Sequence, residues 1–208
     1  TGSGDFTKRG SGRLVLTGAS TYVGTTRVSG PLRIDADANL GSTASPLHLD
    51  DAVLELADDV QLQRRLRIDS ASTIDTDRHM LSLDGPVEGA ADLGKRGTGE
   101  LRINGARQFS GRLRIEEGGL HLDGAIEGHL HVGTGTYLAG QGELGGSLHL
   151  ADGARYRVSV RPDGIDGGVF RTDGPVVIDA AQLVIDGVPG DYPLSSEHRV
   201  LASAESVS

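Results

Sequence analysis

Lys95-Arg96-Gly97-Thr98-Gly99-Glu100-Leu101-Arg102-Ile103-Asn104-Gly105-Ala106 repeats an earlier stretch, Lys8-Arg9-Gly10-Ser11-Gly12-Arg13-Leu14-Val15-Leu16-Thr17-Gly18-Ala19. The match runs on, with Phe109-Ser110-Gly111 against Tyr22-Val23-Gly24 and Ile115 against Val28, every pair 87 residues apart. At the centre of each copy is a three-residue unit, Leu14-Val15-Leu16 or Leu101-Arg102-Ile103, in which an apolar pair flanks one outward residue. Alternation with period two puts the pair on one face of a strand and the middle residue on the other.

The same unit recurs about a dozen times along the chain. Leu32-Arg33-Ile34, Leu47-His48-Leu49, Leu66-Arg67-Ile68 and Leu81-Ser82-Leu83 precede the second copy; Leu113-Arg114-Ile115, Leu120-His121-Leu122, Leu130-His131-Val132 and Leu148-His149-Leu150 follow it. Gly, Asp, Asn and Ser separate the units and supply turns. Asn-Gly, the strongest two-residue hairpin signal, occurs once, at Asn104-Gly105. Strands this short do not stand as hairpins. Stacked coil on coil they form a solenoid, each strand pairing with its counterpart one turn later. The fold expected is all-β, a parallel β-helix of about nine or ten coils at roughly 20–25 residues each, with the two copies about four coils apart. Residues 50–67 also fit an amphipathic helix; the alternation in Leu54-Glu55-Leu56 and Val60-Gln61-Leu62 favours strand.

Composition agrees. Of 208 residues 32 are Gly, about twice the usual share. Three Phe, four Tyr and no Trp leave the core to small aliphatics, which suits a narrow coil. The net charge of −9 opposes nucleic acid and anionic membrane as partners. No apolar run approaches the ~18 residues of a membrane helix. Cys is absent, which removes disulfides, thiolate metal sites and Cys nucleophiles. With Thr1 first and Met80 the only Met, the chain is expected to be a fragment or a processed product.

Both copies resemble the passenger-associated transport repeat of bacterial autotransporters, the type V secretion proteins: Lys-x-Gly-x-Gly-x-Leu-x-Leu-x-Gly, then an aromatic, one residue, and Gly. The residues that carry it are Gly10, Gly12, Leu14, Leu16, Gly18, Tyr22 and Gly24 in the first copy. In the second they are Gly97, Gly99, Leu101, Ile103, Gly105, Phe109 and Gly111. Asn39-Leu40-Gly41, Ile74-Asp75-Thr76 and Gly85-Pro86-Val87-Glu88-Gly89 are similar to passenger sequence as well. The stretch from Gly140 to Ala202 is similar to the self-chaperoning segment of that family. The resemblance implies a right-handed parallel β-helix outside the cell, reached by periplasmic transit. It divides the chain into repeat-bearing coils, 1–122, and a C-terminal cap, 123–208. The core expected for that folding seed is Leu144, Leu148, Leu150, Val158, Val160, Val177, Leu183, Ile185, Val200 and Leu201. Threading C-terminal end first without ATP would leave the folding of these coils to oppose backsliding. The implied partner is the protein's own membrane β-barrel, absent from these residues; a host protein or glycan is a further one, and the rod is expected to be a monomer.

Other constellations read as surface. His121, His131 and His149 occupy middle positions of strand units and would ladder outward if their coils stack. Their spacing matches no zinc motif, so solvated His is expected and no metal site is assigned. Gly140-Gln141-Gly142-Glu143-Leu144-Gly145 fits a dinucleotide fingerprint, but a strand unit follows where a helix is required, so no cofactor is expected. No nucleophile elbow or triad arrangement is present, and paired carboxylates at Asp50-Asp51, Asp58-Asp59 and Glu116-Glu117 point to opposite strand faces. Asp163, Asp166 and Asp173 could mimic the acidic cluster of a polysaccharide-cleaving β-helix, yet the chain is expected not to be an enzyme. Arg33, Arg67, Arg102 and Arg114 share the middle position, where cross-coil salt bridges are expected over ligand binding. A positive φ is expected at Gly111, and Tyr22 and Phe109 are expected to plug the core or a corner.

Overall fold

The computed structural model describes residues 2–105, 108–161, 164–165, 169–187, 189–191 and 200–205. These residues wind into a parallel β-solenoid with three faces. The first face runs from Phe6–Lys8 through the front halves of Thr26–Ile34 and Leu47–Leu56 to Leu66–Ile68, Val87–Gly89 and Gln108–Phe109. Ala125–Ile126, Glu143–Leu144, Phe170–Thr172 and Leu201–Ser203 continue it. The second face begins at Leu14–Leu16, takes the rear halves of the two long strands, and continues through Ser72–Asp75, Leu93–Arg96, Arg112–Ile115, His129–Val132, Leu148–Leu150 and Val176–Ile178. The third consists of Val60–Leu62, Met80–Leu83, Glu100–Ile103, Gly119–Leu122, Tyr137–Ala139, Arg155–Arg161 and Gln182–Gly187.

Among the described residues about seven turns carry all three faces, against the nine or ten expected. Two local causes shorten the count. In the first turns the third face has no strand: Asn39 Oδ1 accepts from the backbone N–H of Asp35 and Ala36, at 2.9 Å each, and turns the chain into a 3-10 helix, Asp37–Leu40. Near the other end the coil lengthens. Leu130 pairs with Leu148, but Leu148 pairs with Val176, and the extra chain includes an antiparallel pairing of Val160 with Ile165.

The strand units alternate as their sequence requires. In Leu101-Arg102-Ile103 the outer two are buried and Arg102 is exposed, and Leu66-Arg67-Ile68 follows the same rule. Leu, Ile and Val of neighbouring coils stack into one axial core, joined by Phe109 and Phe170. Residues 50–67 are strand, Leu47–Leu56 and Val60–Leu62, with Leu54, Leu56, Val60 and Leu62 all inward. A helix there would spread these four around its circumference; the strand puts every one in the core.

Candidate functional site: the buried lysine of each transport repeat

Period two puts Lys95 on the same side of its strand as Leu93, which is the inward side. It lies in register with Ile74 and Ile115, both buried, and is itself fully buried. An ammonium there is costly unless its donors are met. All three are: Lys95 Nζ donates to the carbonyls of Gly97 at 2.5 Å, Gly99 at 2.6 Å and Glu117 at 2.9 Å. Burial pushes the group down to about 8, against the pull of Asp75, Glu117 and Glu100. The cage depends on Gly97, whose φ of +79° turns its carbonyl to the lysine and whose side-chain position is occupied by the Asp77 backbone nitrogen, 2.4 Å away.

Lys8 does the same in the first copy. Its Nζ donates to the carbonyls of Gly10 and, at 3.2 Å, Ser29, and Gly10 has φ +83°. In both copies the lysine bonds its own repeat's glycine and also a carbonyl of the coil on the C-terminal side. The Lys-x-Gly of the motif is thus an internal cation clamped between two coils.

The copies occupy different faces. Stacking carries Lys8 to Val28, Leu49 and Ile68 on the first face. Lys95 stacks instead under Ile74, Leu54, Leu32 and Leu14 on the second. The 87-residue offset therefore spans four coils and one face more.

The remaining repeat residues are placed unequally. Leu101, Ile103 and Phe109 are buried, whereas Leu14, Leu16 and Tyr22 are half-buried. Tyr22 stacks on Phe6, with ring centroids 5.9 Å apart, and bonds Thr26 through its hydroxyl. Gly12 and Gly18 face open space, Gly99 and Gly105 lie on carbonyls of the coil before, and Gly24 lies against Gly4. Gly111 does not have the positive φ expected of it; it is needed because a Cβ would sit 2.1 Å from the Ala91 carbonyl oxygen.

The C-terminal residues expected in the core are not all inside it. Leu144, Leu148, Leu150, Val158 and Val160 are buried, and Val200 and Leu201 pack partly against the core. Val177, Leu183 and Ile185 are exposed, by 37%, 51% and 61%. They belong to the last described rungs of the second and third faces: Val177 is in line with outward His149, whereas Leu183 and Ile185 are in register with inward Tyr156 and Val158 and are exposed because no further described strand covers that end of the third face.

Arg33, Arg67, Arg102 and Arg114 do not form one stripe. Arg67 is on the first face, Arg102 on the third, and Arg33 and Arg114 in different columns of the second. Three have acidic partners: Arg67–Asp69 at 2.7 Å, Arg102–Glu100 at 2.5 Å and Arg114–Asp92 at 2.8 Å. His121 is on the third face beside Asp123, while His131 and His149 stack in register on the second. Gly140 to Gly142 bends between the strands Tyr137–Ala139 and Glu143–Leu144, so strand follows where a helix would be required. Asp163 and Asp166 lie outside the described residues.

Sequence reasoning missed one further cation. Arg64 is buried, ion-pairs Asp37 at 2.5 Å and donates to the carbonyls of Asp37, Leu40, Gly41 and Ser45. The signal was present: Val60, Leu62, Arg64 and Leu66 are evenly spaced at period two.

The family model of the passenger-associated transport repeat matches residues 6–30 and 93–122, the two stretches that hold the caged lysines. The "Adhesin BmaC autotransporter" of Brucella suis biovar 1 (strain 1330) is 36% identical over 136 residues. Those two stretches are passenger-associated transport repeats, and the chain is similar to autotransporter passenger sequence. The alignment covers 64% of this chain but 4% of that relative. No solved structure matches this chain. Such passengers are surface-exposed or secreted, and no helix among the described residues is long and apolar enough to cross a membrane.

Proposed function

We propose that this passenger segment is a structural β-helical stalk that promotes folding and outer-membrane secretion of its parent, with residues 123–208 as the seed. The observation that carries the reading is the direction of the lysine clamps. Lys8 reaches forward to Ser29, and Lys95 to Glu117, each on the coil nearer the C-terminus. A chain that emerges C-terminal end first presents those carbonyls already fixed when the next coil arrives. Each incoming lysine then docks on a finished rung, and growth from a formed end avoids repeated nucleation. The partner in this reading is the protein's own membrane β-barrel.

The test is secretion of the full-length parent with its barrel, read by protease accessibility at the cell surface. Removal of residues 123–208 is expected to abolish display of folded upstream coils, and Lys95→Met to reduce it. Undiminished display without those residues overturns the proposal. A second reading, adhesion to a host protein or glycan, is favoured by the adhesin among its relatives. Cell adhesion lost on removal of this segment, with display intact, would select it.

A further inference from the structure

We propose that His131 and His149 form a site for one borderline divalent transition metal ion, of the zinc, nickel or copper kind, on the outward side of the second face. The two residues are Cα partners on adjacent parallel rungs, so the strand spacing of ~4.8 Å brings their rings together. Their Nδ1 atoms are 3.1 Å apart and the ring centroids 4.7 Å. Two nitrogens each about 2.0–2.1 Å from one ion lie about 2.9–3.4 Å apart at bond angles near 90–109°. The separation is therefore that of a cis pair of ligands.

Asp179 supplies the support such a site needs. Its Oδ2 lies 2.7 Å from His149 Nε2. A carboxylate only accepts, so His149 carries its proton on Nε2 and turns the Nδ1 lone pair toward His131. In the metal-free pair the remaining Nδ1 proton is on His131; when the ion enters, His131 moves that proton to its own Nε2 and both lone pairs bind. Burial, then His149, Arg114 and Arg112, hold His131 below its ordinary range, so it is neutral and able to ligate.

The pair opens into a cleft of about 450 Å³ that leaves room for water to complete the coordination. Arg112, Arg114 and His129 line the same cleft. Arg114 is held by Asp92 at 2.8 Å and His129 Nδ1 by Ser147 at 2.9 Å. With Asp92 and Asp179 set against the two arginines, these four groups leave no net positive charge to exclude a cation. For an anion the same balance leaves little attraction, so the metal is the better fit.

The test is calorimetric titration of the full chain, free of any polyhistidine tag, with ZnCl2, NiCl2 or CuCl2 alone. One equivalent is expected to bind, with a rise in melting temperature. His131→Ala and His149→Ala should each weaken binding at least tenfold, and Asp179→Asn by about 10–100-fold. His121→Ala, on the third face, should change nothing. Circular dichroism checks that each variant folds, and imidazole NMR resonances of the unmodified chain give a readout that needs none: the ion should perturb two rings. Absence of binding at millimolar metal, wild-type affinity in the double alanine variant, or binding of inorganic phosphate in place of the metal would overturn the proposal.

Discussion

The two transport repeats share their motif and differ in their neighbours. The second lies between formed coils: Lys95 pairs on one side with Ile74 and on the other with Ile115, and Leu101 with Leu81 and Leu120. The first begins the described solenoid. Its strands Phe6–Lys8 and Leu14–Leu16 pair only with Thr26–Ile34 among the described residues. Similar local chemistry therefore yields a buried Phe109 but a half-buried Tyr22, and three carbonyls within 2.9 Å of Lys95 Nζ where two of the three at Lys8, Ser29 and Arg9, lie at 3.2 and 3.5 Å. In a solenoid a repeat's stability is the sum of its own coil's contribution and those of the interfaces on either side.

Substitutions at matched positions of the two copies test that contrast. The largest effect is expected at Gly111. Gly111→Val drives a side chain into the Ala91 backbone and should cost about 4 kcal/mol in guanidinium unfolding, with Arg112→Val nearly silent. The counterpart Gly24→Val meets Gly4, close to the chain start, and should cost far less. Equal losses at the two glycines would show that the first copy is as rigidly stacked as the second.

Leu101→Ala follows, at about 3 kcal/mol from the cavity left in the core. Leu14→Ala, half-buried at the open end, should cost under about 1 kcal/mol. Lys95→Met should cost about 2 kcal/mol, because three buried carbonyls lose their donor, and Lys8→Met about half as much.

The smallest difference is in pH dependence. Lys95 titrates near 8 when folded and near its ordinary 10.5 when unfolded. Between those values the unfolded chain binds the extra proton, so stability rises with pH across that window. Below pH 8 both states are charged and the slope vanishes. An increment of about 1–2 kcal/mol is expected, the three carbonyls favouring the charged form and holding it below the full value of the shift. Lys95→Met should lose the increment and Lys8→Met keep it; a flat difference between the wild type and Lys95→Met would mean the cage carries no titration.

Strands and their inward sides were legible along most of the chain, because alternation is a local property. Leu120-His121-Leu122 needs no partner to declare which residues turn inward. The lysine cages were half legible. The motif contained Lys8 and Lys95, and their phase with Phe6 and Leu93 pointed them inward, but the carbonyls that receive them come partly from the next coil. His131 and His149 illustrate the same limit: the sequence placed three histidines in outward positions, and only coil register separated His121 from the pair.

A parallel solenoid of short strands with glycine corners and an aliphatic core was already written in the residue order, since each of these follows from spacing within a few residues. The tertiary structure decided which face each repeat occupies, how many turns are complete and which cations are caged. Those depend on coil length, which varies from the step between Leu113 and Leu130 to the longer one between Leu148 and Val176. Corner lengths accumulate along the rod, so small local differences move a motif from one face to the next.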